Sequence, residues 1–190
     1  MNTNELKSDI QEIFLFGVNF FKNPRRNGSL IPSSPFATEA ILNGLDFSSI
    51  KTIVELGPGT GVFTEEIVRR ARPDTKIILV ELEKTYLPML HERFGDRVIV
   101  ENESAHLLDE IAAKHNLEKI DIIISSVPFL TDEIRAPFIE ALKKQTGKGT
   151  ILRFFTFVPP IAKQVYKDLR IQKKNFVLKN FPPLWVYGVN

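Results

Sequence analysis

The stretch KTIVELGPGTGVFTEEIVRR, residues 51–70, decides the fold. It begins with an apolar run of strand length, residues 51–56, and from Val62 onward carries a helical pattern that extends to Arg72. Between the two, Gly57-Pro58-Gly59-Thr60-Gly61 leaves room only for a tight bend. Glycine tolerates the backbone angles of such a bend and lets the main chain come closer to a bound molecule than a side chain would permit. The helix behind it points its free N–H groups at the same place. Strand, glycine bend and helix in this order open a βαβ unit.

Reading toward the C-terminus, the alternation continues. KIILVEL (76–82), RVIVE (97–101), KIDIIISS (119–126) and TILRFFTFV (150–158) have the composition of buried strands. Helical patterns lie between them at Leu87–Phe94, Ala105–His115 and Glu133–Lys144. Strands rich in Ile and Val, each followed by a helix, require a parallel sheet covered on both faces. The tail departs from this pattern. After a helix near Ile161–Leu169, KNFVLKNF (174–181) and LWVYGV (184–189), separated by Pro182-Pro183, read as a hairpin of two edge strands. The expected fold is therefore α/β and Rossmann-like, a seven-stranded, mostly parallel sheet with a C-terminal antiparallel hairpin.

Reading toward the N-terminus, a short helix is expected at roughly Ala37–Gly44, behind the breaking stretch Pro32-Ser33-Ser34-Pro35. Asn4–Phe21 reads as an amphipathic helix that ends at the basic Lys22-Asn23-Pro24-Arg25-Arg26. One domain accounts for the whole chain: residues 1–27 form the helix and basic segment, and 28–190 the core.

Bulk composition excludes several classes. A length of 190 residues with 43% hydrophobic side chains supports one core. A net charge of +2 is weak for a nucleic-acid binder, and none is expected as a partner. Without cysteine there is no disulfide framework or thiolate metal site, and no metal is expected. No apolar run reaches membrane-spanning length, and the polar start lacks the order of a secretion signal, so a cytoplasmic protein is expected. Fifteen phenylalanines against three tyrosines and one tryptophan leave apolar surface in need of a home.

Glu81 stands at the tip of the second strand, where a carboxylate can accept both hydroxyls of a ribose in the crevice shared by adjacent strand ends. Three ligand classes compete for this crevice. A dinucleotide needs G-x-G-x-x-G, and Val62 occupies the third glycine's place; a P-loop needs Gly-Lys-Ser/Thr, which is absent. A nucleoside without phosphates remains, and G-x-G-x-G with a downstream acid is the pattern of S-adenosylmethionine enzymes. A bare tight turn is the competing reading. Glu55 fits the nucleoside reading, because a carboxylate beside the bend offsets the ligand's ammonium. Glu103 and Ser104 follow the third strand, where an acid usually holds the adenine amino group. Ser125, Ser126, Val127, Pro128 and Phe129 follow the fourth, next to the methyl group. Ser33, Thr60 and Leu82 complete the expected cofactor-binding set, and Ser126, Pro128 and Phe129 the catalytic one.

VELGPGTGVFT resembles the motif of the rRNA adenine dimethylases and also that of the bacterial phospholipid N-methyltransferases, both class I S-adenosylmethionine enzymes. The second resemblance covers nearly the whole chain. It includes Pro24-Arg25-Arg26-Asn27-Gly28, Ile31-Pro32-Ser33-Ser34, Ser126-Val127-Pro128-Phe129 and Lys179-Asn180-Phe181-Pro182-Pro183. The Pro-Ser-Ser and Asn-Phe-Pro-Pro elements are the discriminating ones. An adenine dimethylase is expected to carry Asn or Asp where this chain has Ser126, and a helical RNA domain after its sheet. In the lipid group, Asp is more usual at Glu103 and leucine at Val127.

The lipid resemblance implies methyl transfer from S-adenosylmethionine to an amino-phospholipid such as phosphatidylethanolamine, by direct displacement at a membrane surface. The family's N-terminal helix attaches to the membrane. Phe14, Phe16, Phe20 and Phe21 beside Lys22, Arg25 and Arg26 suit an anionic surface, although a helix packed on the sheet is the plainer alternative. The expected localisation is thus cytoplasmic with peripheral attachment to the inner membrane face, and no obligate protein partner is inferred. Arg25, Arg26 or Arg153 are candidates for the lipid phosphate. Phe129, Phe154, Phe155 and Tyr166 are candidates for an aromatic cage around a methylated ammonium. No general base stands out: His91, His106 and His115 read as surface or packing residues. Lys163, Lys167, Arg170, Lys173 and Lys174 form a second basic stretch, read as a solvated face.

Overall fold

The computed structural model describes residues 34–127, 132–180 and 182–190. One seven-stranded sheet runs through them. Strands β1 (Thr52–Leu56), β2 (Lys76–Val80), β3 (Ile99–Glu101), β4 (Ile122–Ser125) and β5 (Ile151–Thr156) are parallel, and β6 (Gln172–Val177) and β7 (Leu184–Val189) are antiparallel. The strand order is β3-β2-β1-β4-β5-β7-β6. The chain moves outward in one direction from β1 to β3, then returns to β4 on the other side of β1. Such a reversal opens a crevice at the carboxyl ends of β1 and β4.

Six α-helices among the described residues cover the sheet. On one face, α1 (Pro35–Leu42), α2 (Val62–Arg70) and α3 (Leu87–Phe94) bury Ile41, Ile67 and Leu90 against Ile53, Ile77 and Ile122. On the other, α4 (Leu108–Lys114), α5 (Asp132–Gly147) and α6 (Pro159–Val165) bury Leu108, Phe138 and Ala162 against Val54, Ile78 and Ile123. The alternation along each strand sends successive side chains to opposite cores. Both faces are apolar because both are covered.

Two expectations change. The tail is a hairpin, but its strands are not both edges: β7 inserts between β5 and β6, and Leu184, Val186 and Tyr187 are buried. Gly188 explains the close fit, since a Cβ there would stand 2.3 Å from the Leu152 carbonyl oxygen. The helix after β5 begins earlier and ends sooner than expected, with Pro159 and Pro160 in its first turn, where the missing N–H groups are tolerated.

The two discriminating sequence elements meet in space. Asn180, buried, accepts a hydrogen bond from the Ser34 N–H (3.2 Å) and donates one to the Pro182 carbonyl (2.8 Å). The Ser34 hydroxyl in turn caps α1 by accepting from the Ala37 N–H (3.3 Å). The chain ahead of β1 is thereby fastened to the turn ahead of β7.

Candidate active site: the crevice over the glycine bend

Gly57, Gly59 and Gly61 all have positive φ. The Gly57 N–H donates to the Val80 carbonyl (2.9 Å), tying the bend to the end of β2. Gly59 and Gly61 differ in what surrounds them. A Cβ on Gly61 would lie 2.6 Å from the Phe94 ring, so this glycine lets α3 close over the bend. A Cβ on Gly59 would meet nothing within 4 Å, so the space above the middle of the bend is open. The first glycine ties, the third packs, and the second faces the crevice.

Two acids flank that space. Glu81, at the end of β2, is only 7% exposed. Its carboxylate accepts from the Gly59 N–H (2.9 Å) and the Glu83 N–H (2.9 Å). Asn102 holds its backbone in place, donating to the Glu81 carbonyl (2.8 Å) and the Leu82 carbonyl (3.1 Å). Glu55 on β1 is wholly buried. One carboxylate oxygen accepts from the Thr64 hydroxyl (2.7 Å); the other has no partner among the described residues. Burial pushes the Glu55 pKa up to about 7; the Thr64 hydrogen bond works against that rise and the Glu81 charge adds to it.

The hydroxyls of Ser125 and Ser126, at the end of β4, are also buried and unpartnered among the described residues. Buried polar atoms in folded proteins almost always have a partner. Three such atoms at the adjoining ends of β1 and β4, beside an open glycine bend, form a polar lining with hydrogen-bonding capacity left over. An unpaired carboxylate oxygen fits an ammonium, and a carboxylate at the end of β2 fits a diol. The residues present thus fit an amino-acid nucleoside.

The other expected residues fall into three groups. Glu103 is exposed on the loop after β3, Leu82 is 66% exposed beside Glu81, and Thr60 is half-buried in the bend with its carbonyl accepting from Arg93. Ser104 shares a hydrogen bond (2.8 Å) with His106 on that same loop. Ser33, Pro128, Phe129, Arg25, Arg26 and the amphipathic helix of residues 4–21 lie outside the described residues. Three acceptor-side candidates are committed elsewhere. Arg153 is buried with its guanidinium across Gly188, bonded to the Asn190 side chain (2.9 Å) and the Leu152 carbonyl (3.1 Å); it does not reach the crevice as a phosphate ligand. Phe154 and Tyr166 stack on each other with ring centroids 4.2 Å apart, both buried, and present no open cage. Burial raises the Tyr166 phenol's pKa, and the Ser125 hydroxyl, which lies near the phenol without meeting hydrogen-bond geometry, works against the rise.

Thr64 and Asn102 were not singled out by the sequence. Neither carries a motif signal; each is recognised only by the acid it positions. Glu101, also buried, belongs to a separate cluster with Lys114 (2.6 Å) and His115 (2.6 Å). Burial there opposes the charge, but the two hydrogen bonds hold the Glu101 pKa below its ordinary value.

Comparison with known proteins bears on this crevice. The chain is 28% identical over 185 residues to an ornithine lipid N-methyltransferase of Singulisphaera acidiphila, covering 94% of this chain and 95% of that protein. The chain is an S-adenosylmethionine-dependent methyltransferase. The likeness to lipid N-methyltransferases read from its motifs extends along nearly the full length of both proteins. A probable ribosomal RNA small subunit methyltransferase A of Methanosarcina acetivorans is 33% identical over 143 residues, covering 73% of this chain but only 49% of that protein. The class I methyltransferase fold is shared with Aeropyrum pernix fibrillarin bound to S-adenosyl-L-methionine, at a TM-score of 0.59 and 18% identity, over 79% of this chain and 72% of that one. No family model matches the chain. No helix among the described residues is long and apolar enough to cross a membrane.

Proposed function

We propose that this methyltransferase moves a methyl group onto the amine of an amino-phospholipid, such as phosphatidylethanolamine, at the cytoplasmic face of a membrane. The observation that carries the reading is the extent of the likeness to a lipid N-methyltransferase, 95% of that protein's length. The ribosomal RNA methyltransferases match over far less of their length, 28% and 49% in two cases.

The bound cofactor supplies an activated methyl on a positively charged sulfur. The chain's own residues bind and orient. Glu81 would hold the ribose hydroxyls, Glu55 would meet the ammonium with its free oxygen, and Glu103 with Ser104 would border the adenine. Thr60 and Leu82 line the same ligand, Ser33 is assigned to it as well, and Ser125 faces the end that carries the methyl. Ser126, Pro128 and Phe129 are the residues assigned to the acceptor amine. The amine's lone pair forms the new N–C bond as the S–C bond breaks, so the work left to the protein is alignment and the exclusion of water. The N-terminal segment brings the crevice to the membrane plane, with Arg25 and Arg26 at lipid phosphates.

The test is incorporation of labelled methyl from S-adenosylmethionine into phosphatidylethanolamine vesicles, with an acylated ornithine lipid and ribosomal RNA as parallel acceptors. Label in N-methylated lipid is the expected result, weakened in an Arg25→Glu/Arg26→Glu variant whose cofactor affinity is unchanged. Label in RNA alone, with the salt sensitivity of a phosphate-backbone contact, would establish the adenine N6-methyltransferase alternative instead. Label in no acceptor, with the cofactor still bound, would reduce the protein to a membrane-associated module on this fold.

A further inference from the structure

On the sheet face opposite α2, a cavity of about 400 Å³ opens between α6 and the β6–β7 pair. Lys163, Lys167 and Lys173 stand around it, and Tyr166, Leu169 and Tyr187 lie beneath. The lysines are exposed while the three residues beneath are buried. No acidic side chain lines the cavity, and none of the three lysines is ion-paired among the described residues. A concave site of one charge sign over a low-dielectric floor focuses its field on whatever enters, and an anion there relieves the mutual repulsion of the lysines.

The cavity's place in the sheet relates it to the crevice. Ser125, Phe154, Tyr187 and Lys173 are successive partners across β4, β5, β7 and β6. Three strand spacings separate the crevice from the cavity, roughly 14 Å along one row. A molecule held in the cavity is therefore a neighbour of the one in the crevice.

We propose that this cavity is a second ligand site, which takes the phosphodiester head group of an anionic membrane lipid and so seats the crevice mouth among head groups. The proposal rests on the lipid reading of the crevice. The floor favours lipid over an RNA backbone. Tyr166 and Tyr187 both spend their faces on Phe154, at centroid distances of 4.2 and 5.9 Å, and offer no free platform for stacking bases. The apolar edge they leave matches the glycerol end of a lipid head group.

The experiment is co-sedimentation of the full chain with phosphatidylcholine vesicles containing about a third phosphatidylglycerol, a fraction set so that lysine contacts register strongly. Lys163→Glu/Lys167→Glu/Lys173→Glu is compared with a charge-matched control, Lys51→Glu/Lys143→Glu/Lys148→Glu, at the end of the sheet away from the crevice. The cavity variant is expected to lose tenfold or more in vesicle affinity and the control less than threefold, with cofactor affinity by calorimetry retained in both. The same three cavity positions changed to Gln give a milder loss in the same direction, and decide the matter if the Glu variant fails to fold. Equal losses in cavity and control variants overturn the proposal, since bulk charge then suffices. So does a cavity variant that loses affinity only for an RNA oligonucleotide, or wild-type protein that binds inorganic phosphate in the cavity but shows no cavity-dependent binding to vesicles. Methyl transfer to detergent-dispersed phosphatidylethanolamine separates the two readings. If the wild type methylates it while the cavity variant still binds vesicles normally, only the cavity assignment falls; if the wild type methylates no lipid in any form, the crevice reading falls as well.

Discussion

The two halves of the sheet handle polar groups in opposite ways. Around β1, β2 and β4, acids and hydroxyls are gathered at strand ends, and three of their atoms are left without partners among the described residues. Around β5, β7 and β6, the buried polar side chains Arg153 and Asn180 are satisfied within the protein, the first by Leu152 and Asn190 and the second by Ser34 and Pro182. Burial of an unpaired polar atom costs about 1–3 kcal/mol. Several of them together leave room for water, an ion or a ligand to complete the set. The first half keeps polar atoms open at its strand ends, whereas the second satisfies its buried polar groups internally while holding the chain's last strand inside the sheet.

The sharpest way to break that contrast is Gly188→Ala. The new methyl would meet the Leu152 carbonyl oxygen at 2.3 Å and the Arg153 guanidinium at 2.6 Å, and the carbonyl is backbone that cannot swing aside. A loss of about 3 kcal/mol or more in urea unfolding is expected, at the upper end for overpacking. Cofactor affinity of the remaining folded protein should be unchanged. A variant that stays stable but loses the cofactor would show that the halves are not separate in function.

Next in size is the pH dependence of the first half. Glu55 has its pKa raised by burial from 4.5 to about 7, so its protonated form is the one the fold favours. Its contribution to stability is full below pH 4.5 and is lost as pH rises through 7, a swing on the order of 3 kcal/mol. Urea unfolding of wild type at pH 5 and pH 8, set against Glu55→Gln, isolates this contribution as the difference between the two slopes; the variant should lose that part of the dependence. Cofactor binding runs the other way, because the ammonium partner calls for the ionised form. Affinity should fall with pH below 7, up to about tenfold per unit, and the variant should lose that slope. Identical slopes in both proteins would remove Glu55 from the site.

Glu81→Ala sharpens the comparison within the first half. Removing the carboxylate leaves the Gly59 and Glu83 N–H groups without their acceptor and takes away the proposed diol partner. Charge-assisted hydrogen bonds of this kind are worth roughly 1.5–3 kcal/mol, so affinity for S-adenosylmethionine should drop roughly a hundredfold by calorimetry. A change of less than threefold would mean that the carboxylate serves the loop alone.

What could be read from sequence follows the same division. The glycine bend and the acid at the end of β2 could be read because they are local: bend, acid and strand ends lie within short, patterned stretches. The C-terminal half was legible only in outline. Nothing in TILRFFTFV announces that Arg153 faces inward over a glycine thirty-five positions away, nor that Phe154 spends its ring on Tyr166 and Tyr187. The hairpin's two strands were recognisable, yet the insertion of β7 beside β5 depends on a contact across the sheet that Gly188 permits and local pattern does not encode. The lysines around the cavity appeared as a charge run, because a concavity is a property of three elements together.

Thr64→Val is the smallest and most discriminating change. Valine replaces threonine at nearly the same volume, but the hydrogen bond donated to Glu55 disappears, and with it the influence that holds the Glu55 pKa down. The carboxyl should then titrate above 7, leaving less of it ionised in neutral solution. If the cofactor's ammonium needs that charge, affinity at pH 7 should fall a few-fold, about 1 kcal/mol, and return to nearly the wild-type value by pH 9. A plain packing defect would give the same loss at both pH values. Recovery at high pH thus separates a threonine that tunes the acid from one that fills space, and assigns the unpartnered oxygen of Glu55 to the ligand.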